Sequence, residues 1–325
     1  MKRPRHPLRN RLEWLLAWML AGPLLILPRG LSRAALALLG DLAWLLSWGR
    51  RRRTIELVQA RLGCDRRRAG QIVRGAFRTL TINALEGYNT RRMIDAGRLD
   101  EILSVEGAEH LQALLDAGEG VVLSTGHLGS WEAYGPVMAE RFQPVFAVGR
   151  PLENPLIENL VRLTRSDSLA GQFPKDGAAL PVARQLRRGG VAVLLLDQNA
   201  GKSSFLMEFM GAPTRQHKIA GVLATRFGVA VCPAYLLREG RGRLRLIIEP
   251  VLRPDPELEG EPAALELIER VNASLEARVR AHPEQWLWLH DRWRSATNNA
   301  RLAAIQAAKA AKLSAASGAD GTTGA

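Results

Sequence analysis

The chain has 325 residues, 47% of them hydrophobic, enough for a sizeable core and too many for global disorder. Its 45 Lys and Arg against 32 Asp and Glu leave a formal charge of +13, which points to acidic partners: nucleic acid, an anionic membrane surface, an acidic carrier protein or a phosphorylated substrate. The two cysteines, Cys64 and Cys232, lie far apart in unlike contexts and supply neither a disulfide framework nor a zinc ligand set.

The N-terminus carries a membrane signal. A basic start, MKRPRHPLRNR, precedes LEWLLAWMLAGPLLILP (12–28), apolar except for Glu13, and then GLSRAALALLGDLAWLLSWG (30–49) and Arg50–Arg53. A cleaved signal peptide is disfavoured because no small-x-small site follows the first apolar run. Tryptophans in both runs and arginines at both ends favour a membrane–water interface over a buried hairpin. Residues 1–53 are therefore expected to form a membrane-anchoring helical segment. One tilted span, a hairpin and a pair of in-plane helices all remain open, and a hairpin or cytoplasmic in-plane helices satisfy the positive-inside rule.

Residues 54–118 read as helical: TIELVQARLG with a glycine stop, then a helix opened by an Asp cap at DRRRAGQIV. From Val105 strands and helices alternate. Strands are predicted at 121–125, 144–148, 191–196, 229–237 and 243–249, with helices near 108–117, 132–141, 154–165, 176–188 and 216–227. Continuous apolar strands separated by helices indicate an α/β fold with a mostly parallel central sheet buried on both faces. An amphipathic helix follows the loop at 253–262. The catalytic domain is expected over 54–295 and an Ala-rich, disordered tail over 296–325.

Function is expected just beyond VVLST (121–125), because ligands of open α/β sheets bind outside the carboxyl ends of strands. His127 stands there, and Glu132 falls near the start of the next helix. Residues five apart meet only if the chain turns first, which Gly126 and Gly129 permit. A carboxylate-held imidazole is a general base. The bland alternative is a loop histidine and a glutamate in the first helical turn, favoured by the helix dipole. Asp197 likewise ends a strand, VAVLLLD, which suits a site role such as holding an arginine. Asn154-Pro155 is a good N-cap and N1 pair for a helix over 155–165 carrying Arg162 and Arg165 in its last turns.

Other signals are set aside. AGKSS (200–204) lacks the glycine a phosphate-binding loop requires, since position 196 is leucine. No GxGxxG opens a helix. His282 and His290 are too widely spaced for a helical metal pair, His217 reads as a cap-region surface group, and Trp286 and Trp288 read as packing residues. Dispersed arginines and the lack of a recognisable motif argue against nucleic acid as partner.

GHLGSWE with its preceding strand resembles the Hxxxx(D/E) signature of the glycerolipid acyltransferase superfamily, and more particularly the bacterial lipid A late acyltransferases. RPLENPLIENLVRLTR (150–165), LLLDQNAGKSSFLMEFMGAP (194–213) and HPEQWLWLHDRWR (282–294) resemble further blocks of that family in order and spacing. The resemblance spans roughly 5–295. Leu128, Ser130 and the QNAG after Asp197 depart from the common pattern and bear on the acceptor rather than the reaction. It implies that His127 removes a proton from the acceptor hydroxyl and that Glu132 orients and charges it. It further implies that Arg150, Arg165 and Asp197 belong to the substrate-binding and oxyanion region. The donor implied is acyl carrier protein and the acceptor a lipid A precursor, with no metal or cofactor. The implied location is the inner membrane, with the catalytic domain on its cytoplasmic side. Relatives acting on another glycolipid, such as a phosphatidylinositol mannoside, share the same blocks.

Overall fold

The structure, a computed structural model, describes residues 7–142, 144–149, 154–158, 171–174, 179–201 and 204–297. Four helices come first: α1 (Pro7–Ile26), α2 (Arg29–Leu46), α3 (Trp48–Leu62) and α4 (Arg66–Asp95). The stop and start read from the sequence between α3 and α4 are present. Gly63 closes α3 in the left-handed conformation, and the Asp65 carboxylate caps α4 by accepting the Arg68 N–H at 2.7 Å.

Helix α2 buries Ser32, Leu36 and Gly40, spaced four apart on one stripe, against α4. Its other side exposes Leu31, Leu38, Leu42, Leu45 and Leu46, beside Leu12, Leu15, Leu16 and Met19 of α1. Among the described residues no single helix is long and apolar enough to cross a bilayer. Helices α2 and α3 together reach that length and composition, but they are bent by 94°.

The rest is an α/β unit. In order follow β1 (Leu103–Glu106), α5 (Ala108–Asp116), β2 (Val121–Thr125), α6 (Trp131–Arg141), β3 (Val145–Gly149), β4 (Gly171–Pro174) and α7 (Ala179–Leu186). Then come β5 (Val191–Leu195), β6 (Phe205–Phe209), β7 (Ala212–Gln216), α8 (Ile219–Phe227), β8 (Ala230–Arg238), β9 (Leu244–Ile248) and α9 (Gly260–Ala281). Seven strands form one sheet in the order β1-β9-β8-β2-β5-β3-β4, and β6 and β7 pair as a separate antiparallel hairpin. From β8 to β4 all neighbours are parallel; only the β8–β9 pairing is antiparallel.

Both faces of the central strands are buried. Val121, Leu123, Val191 and Val193 point to one face, where α6 covers them with Ala133, Tyr134 and Val137. Val122, Ala192 and Leu194 point to the other, under Val182 and Leu186 of α7, Leu223 of α8 and Leu267 of α9. Strand β2 leads into α6 on the first face, whereas β5 leads by way of β6 and β7 to α8 on the second. The connections leaving these two adjacent strands therefore diverge, which opens a crevice at their carboxyl ends.

The expected mostly parallel sheet flanked by helices is present. The sequence reading missed β1, β4 and the β6–β7 hairpin, and β7 occupies the start of the helix expected over 216–227, which begins at Ile219. The tail beyond residue 297 lies outside the described residues.

Candidate active site

Parallel register builds the site. Thr125 of β2 pairs with Leu195 of β5, and the Leu196 N–H donates to the Thr125 carbonyl at 2.9 Å. Each chain then runs two residues further, so His127 and Asp197 emerge side by side at the crevice. The Asp197 carboxylate grips His127 twice: Oδ1 lies 2.7 Å from Nδ1, and Oδ2 accepts the His127 backbone N–H at 2.7 Å. Oδ2 also accepts from the Trp286 indole N–H at 2.9 Å. Burial alone would push the Asp197 carboxyl up. The charge and hydrogen bond of His127, the Trp286 N–H and the Arg292 charge outweigh it and hold that carboxyl well below its usual range.

An ionised carboxylate at Nδ1 places the imidazole proton there and leaves the lone pair on Nε2. The Gln198 side-chain nitrogen lies 3.2 Å from Nε2 and donates to that lone pair. The Trp131 ring meets the imidazole edge-on at 5.7 Å. His127 keeps 20% of its side chain exposed against 3% for Asp197, so the base reaches solvent and its partner does not.

The loop 126–131 is held on three sides. Gly129 has φ of +66°, and a Cβ there would come within 2.1 Å of the Leu236 carbonyl oxygen. A Cβ on Gly126 would press on the Asp197 carboxylate at 3.1 Å. From the C-terminal block, the Gln285 carbonyl accepts the Gly129 N–H at 3.0 Å and the Leu287 N–H donates to the His127 carbonyl at 3.1 Å. Gln285 itself brackets Arg238, accepting its N–H at 2.9 Å and donating to its carbonyl at 3.0 Å. From α4, buried Asn83 donates to the Gly129 carbonyl at 3.0 Å and accepts the Glu132 N–H at 3.3 Å.

His127 stands just past the end of β2, the position the sequence reading gave it, and Glu132 stands in the first turn of α6. Asp197, expected among the substrate-binding and oxyanion residues, is the carboxylate at hydrogen-bond distance from Nδ1. Arg150 and Arg165 lie outside the described residues, as does most of the helix expected over 155–165. Its opening turn is present, with the Asn154 side chain accepting the Leu156 N–H at 3.0 Å.

Gln198, Trp286 and Asn83 were not singled out as site residues. Trp286 was read as packing, which it also does, against Phe209, Trp288 and Trp293. The readable signal for Gln198 was its place directly after the strand-ending Asp197. His290 accepts the Asn199 N–H at 3.1 Å. The turn amides are largely engaged: the N–H groups of His127, Gly129, Ser130 and Glu132 go to Asp197, Gln285, Leu236 and Asn83. The Gln198 amide is the donor already at the base.

A histidine with an outward lone pair, an inward proton and a buried anionic partner can deprotonate an alcohol for attack on an acyl ester. Comparison with known proteins identifies similar acyltransferases. The chain is similar to a phosphatidylinositol mannoside acyltransferase of Mycobacterium tuberculosis (strain H37Rv), 27% identical over 245 residues, 73% of this chain and 72% of that protein. It is also similar to the lipid A biosynthesis palmitoleoyltransferase of Escherichia coli, 27% identical over 204 residues, 61% of this chain and 63% of that one. Among solved structures, the 1-acyl-sn-glycerophosphate acyltransferase PlsC of Thermotoga maritima aligns over 83% of this chain and 97% of its own, with a TM-score of 0.35 and 16% identity. The model of the bacterial lipid A biosynthesis acyltransferases matches residues 2–295, nearly the whole chain, and the protein is thus an acyltransferase belonging to that family.

Proposed function

We propose that the protein transfers a fatty acyl chain from acyl carrier protein to a hydroxyl of a lipid A precursor, at the cytoplasmic face of the inner membrane. The observation that carries this reading is the His127–Asp197 pair at the crevice, with Nε2 turned outward. The acceptor hydroxyl takes the place of the Gln198 amide at Nε2 and gives up its proton as its oxygen attacks the thioester carbon. Asp197 fixes the tautomer and stabilises the imidazolium that forms. The released Gln198 N–H is placed to donate to the tetrahedral oxyanion. Collapse breaks the carbon–sulfur bond, and the imidazolium returns its proton to the departing thiolate.

Glu132 is assigned an electrostatic share. It follows Trp131, whose ring contacts the imidazole, and its carboxylate favours the charged base. Arg150 and Arg165 are assigned to the acyl or phosphate groups of the substrates. A charge of +13 suits both an acidic carrier and a phosphorylated acceptor. The exposed leucines of α1 and α2 form an apolar surface suited to bilayer contact, beside Arg52 and Arg53 of α3.

A second acceptor is favoured by the mycobacterial relatives, whose names specify a phosphatidylinositol mannoside. Incubating purified protein with acyl carrier protein thioesters and a panel of glycolipids, with products read by mass spectrometry, tests both. Acylated product from wild type and none from His127→Ala is the expected result; equal turnover by the two proteins refutes the mechanism.

A further inference from the structure

At the break between α1 and α2 the chain leaves a cavity of about 470 Å³ against the C-terminal end of α4. Its polar lining is Arg29, Asn89, Arg92 and Arg98, its apolar lining includes Ile26 and Met93, and no carboxylate lines it. Three guanidinium groups share this small space; Arg98 is paired with Glu101 and Arg29 is attracted by Glu86, while no carboxylate on the lining meets Arg92.

Part of their hydrogen-bonding capacity is used within the protein. Arg29 Nη2 donates to the Gly242 carbonyl at 2.6 Å, Arg92 Nη1 to the Leu25 carbonyl at 3.2 Å, and Arg98 makes a paired contact to Glu101 at 2.7 Å. A guanidinium has five N–H donors, so each retains some. Arg29 Nε is buried with no hydrogen-bond partner.

Two further observations point to a ligand. Asn89 is 5% exposed and lines the cavity, yet its amide has no hydrogen-bond partner among the described residues. Arg29 is also the first residue of the 18-residue α2, whose N-terminus has no side-chain cap and no acidic residue in its first turn. Arginines, an idle amide and free helix N–H groups together match the tetrahedral array of acceptors on a phosphate.

We propose that this cavity binds a phosphate group, carried on an anionic membrane lipid or free in solution. Ile26, 83% exposed at the rim, and the exposed leucines of α1 and α2 would lie along the apolar part of a lipid whose headgroup enters the cavity. The inference does not depend on the acyl-transfer reading, because its readout is binding alone.

The test uses the full chain and the double substitution Arg92→Gln/Arg98→Gln, two exposed positions that leave the core untouched. Arg52→Gln/Arg53→Gln, also exposed and removing the same charge, is the control. Binding is measured to vesicles of phosphatidylcholine alone or mixed with phosphatidylglycerol, and inorganic phosphate is titrated calorimetrically without lipid. A preference for phosphatidylglycerol that falls about tenfold or more in the cavity variant, and less in the control, supports a lipid phosphate. A heat of inorganic phosphate binding that disappears only in the cavity variant supports free phosphate. If the two variants behave alike in both experiments, the positive charge acts diffusely and the site does not exist.

Discussion

Asp197 holds His127 at two points, Oδ1 at 2.7 Å from the ring nitrogen Nδ1 and Oδ2 accepting the backbone N–H at 2.7 Å. The second oxygen also takes the Trp286 indole N–H. In Asp197→Asn, those two donors keep the remaining amide oxygen on their side, and the amide NH2 falls opposite Nδ1. The imidazole must then carry its proton on Nε2, where it is no base. Acyl transfer is expected to fall by about 10³–10⁴ with the fold intact, as wrong-tautomer substitutions do elsewhere. Turnover within about tenfold of wild type, in a protein of unchanged melting temperature, would show that Asp197 does not set the tautomer.

Gln198 separates occupancy of the base from its protonation. Gln198→Leu removes the donor at Nε2, and if that donor stabilises the oxyanion, kcat should fall by about 10²–10³ with KM little changed. Gln198→Glu sets a carboxylate beside Nε2, favours the imidazolium, and should move the acidic limb of the rate profile to higher pH. Unaltered kcat in the leucine variant would reduce Gln198 to a bystander.

Much of this site could be read before the fold was known, for a physical reason. Strand-ending polar residues after continuous apolar runs mark the rim of a parallel sheet, so His127 and Asp197 were both visible as rim residues. Their pairing was not. It depends on β2 and β5 being neighbours, a fact set by topology across 70 positions, and local spacing offered only the nearer carboxylate, Glu132. Asn83 was hidden for a related reason: its contacts with Gly129 and Glu132 come from the packing of α4 on α6. Strand β4 has only four residues and β7 reads APTRQ, mostly polar, so neither presents the long apolar run that betrayed β2 and β8.

His290 should make stability depend on pH. Burial, more than any neighbouring charge, lowers its pKa from 6.5, and its Nε2 must be unprotonated to accept the Asn199 N–H. The unfolded chain therefore binds the proton more readily than the folded one. Its contribution is fully present above pH 6.5 and is lost as pH falls from there through the lower folded value. His290→Gln, which can accept the same bond without titrating, should flatten the melting temperature between neutral and mildly acidic pH. Equal slopes for both proteins would assign that dependence elsewhere.

Glu86 of α4 is 2% exposed and clasped by Arg33 at 2.8 Å and Arg238 at 2.5 Å. Burial pushes its carboxyl up, but the two guanidinium groups outweigh that and hold it below its ordinary range. Glu86→Gln leaves two cations facing each other out of water, at an expected cost of about 3–5 kcal/mol in urea unfolding. The single variant Arg33→Gln, at a more exposed partner, should cost less. The reverse order would mean that Arg238 is not the main counter-charge.

The clasp of Gln285, Trp286 and Leu287 on the histidine loop has a consequence for the order in which the protein becomes active. Synthesis delivers His127 and Asp197 long before the segment that fixes them arrives, so a nascent chain still on the ribosome carries the reactive pair without its brace. A polypeptide halted before Pro283 retains every residue of the sheet and lacks the strap that aims its base. Under the proposed mechanism, such a shortened chain is expected to lose acyl transfer even where its sheet is intact.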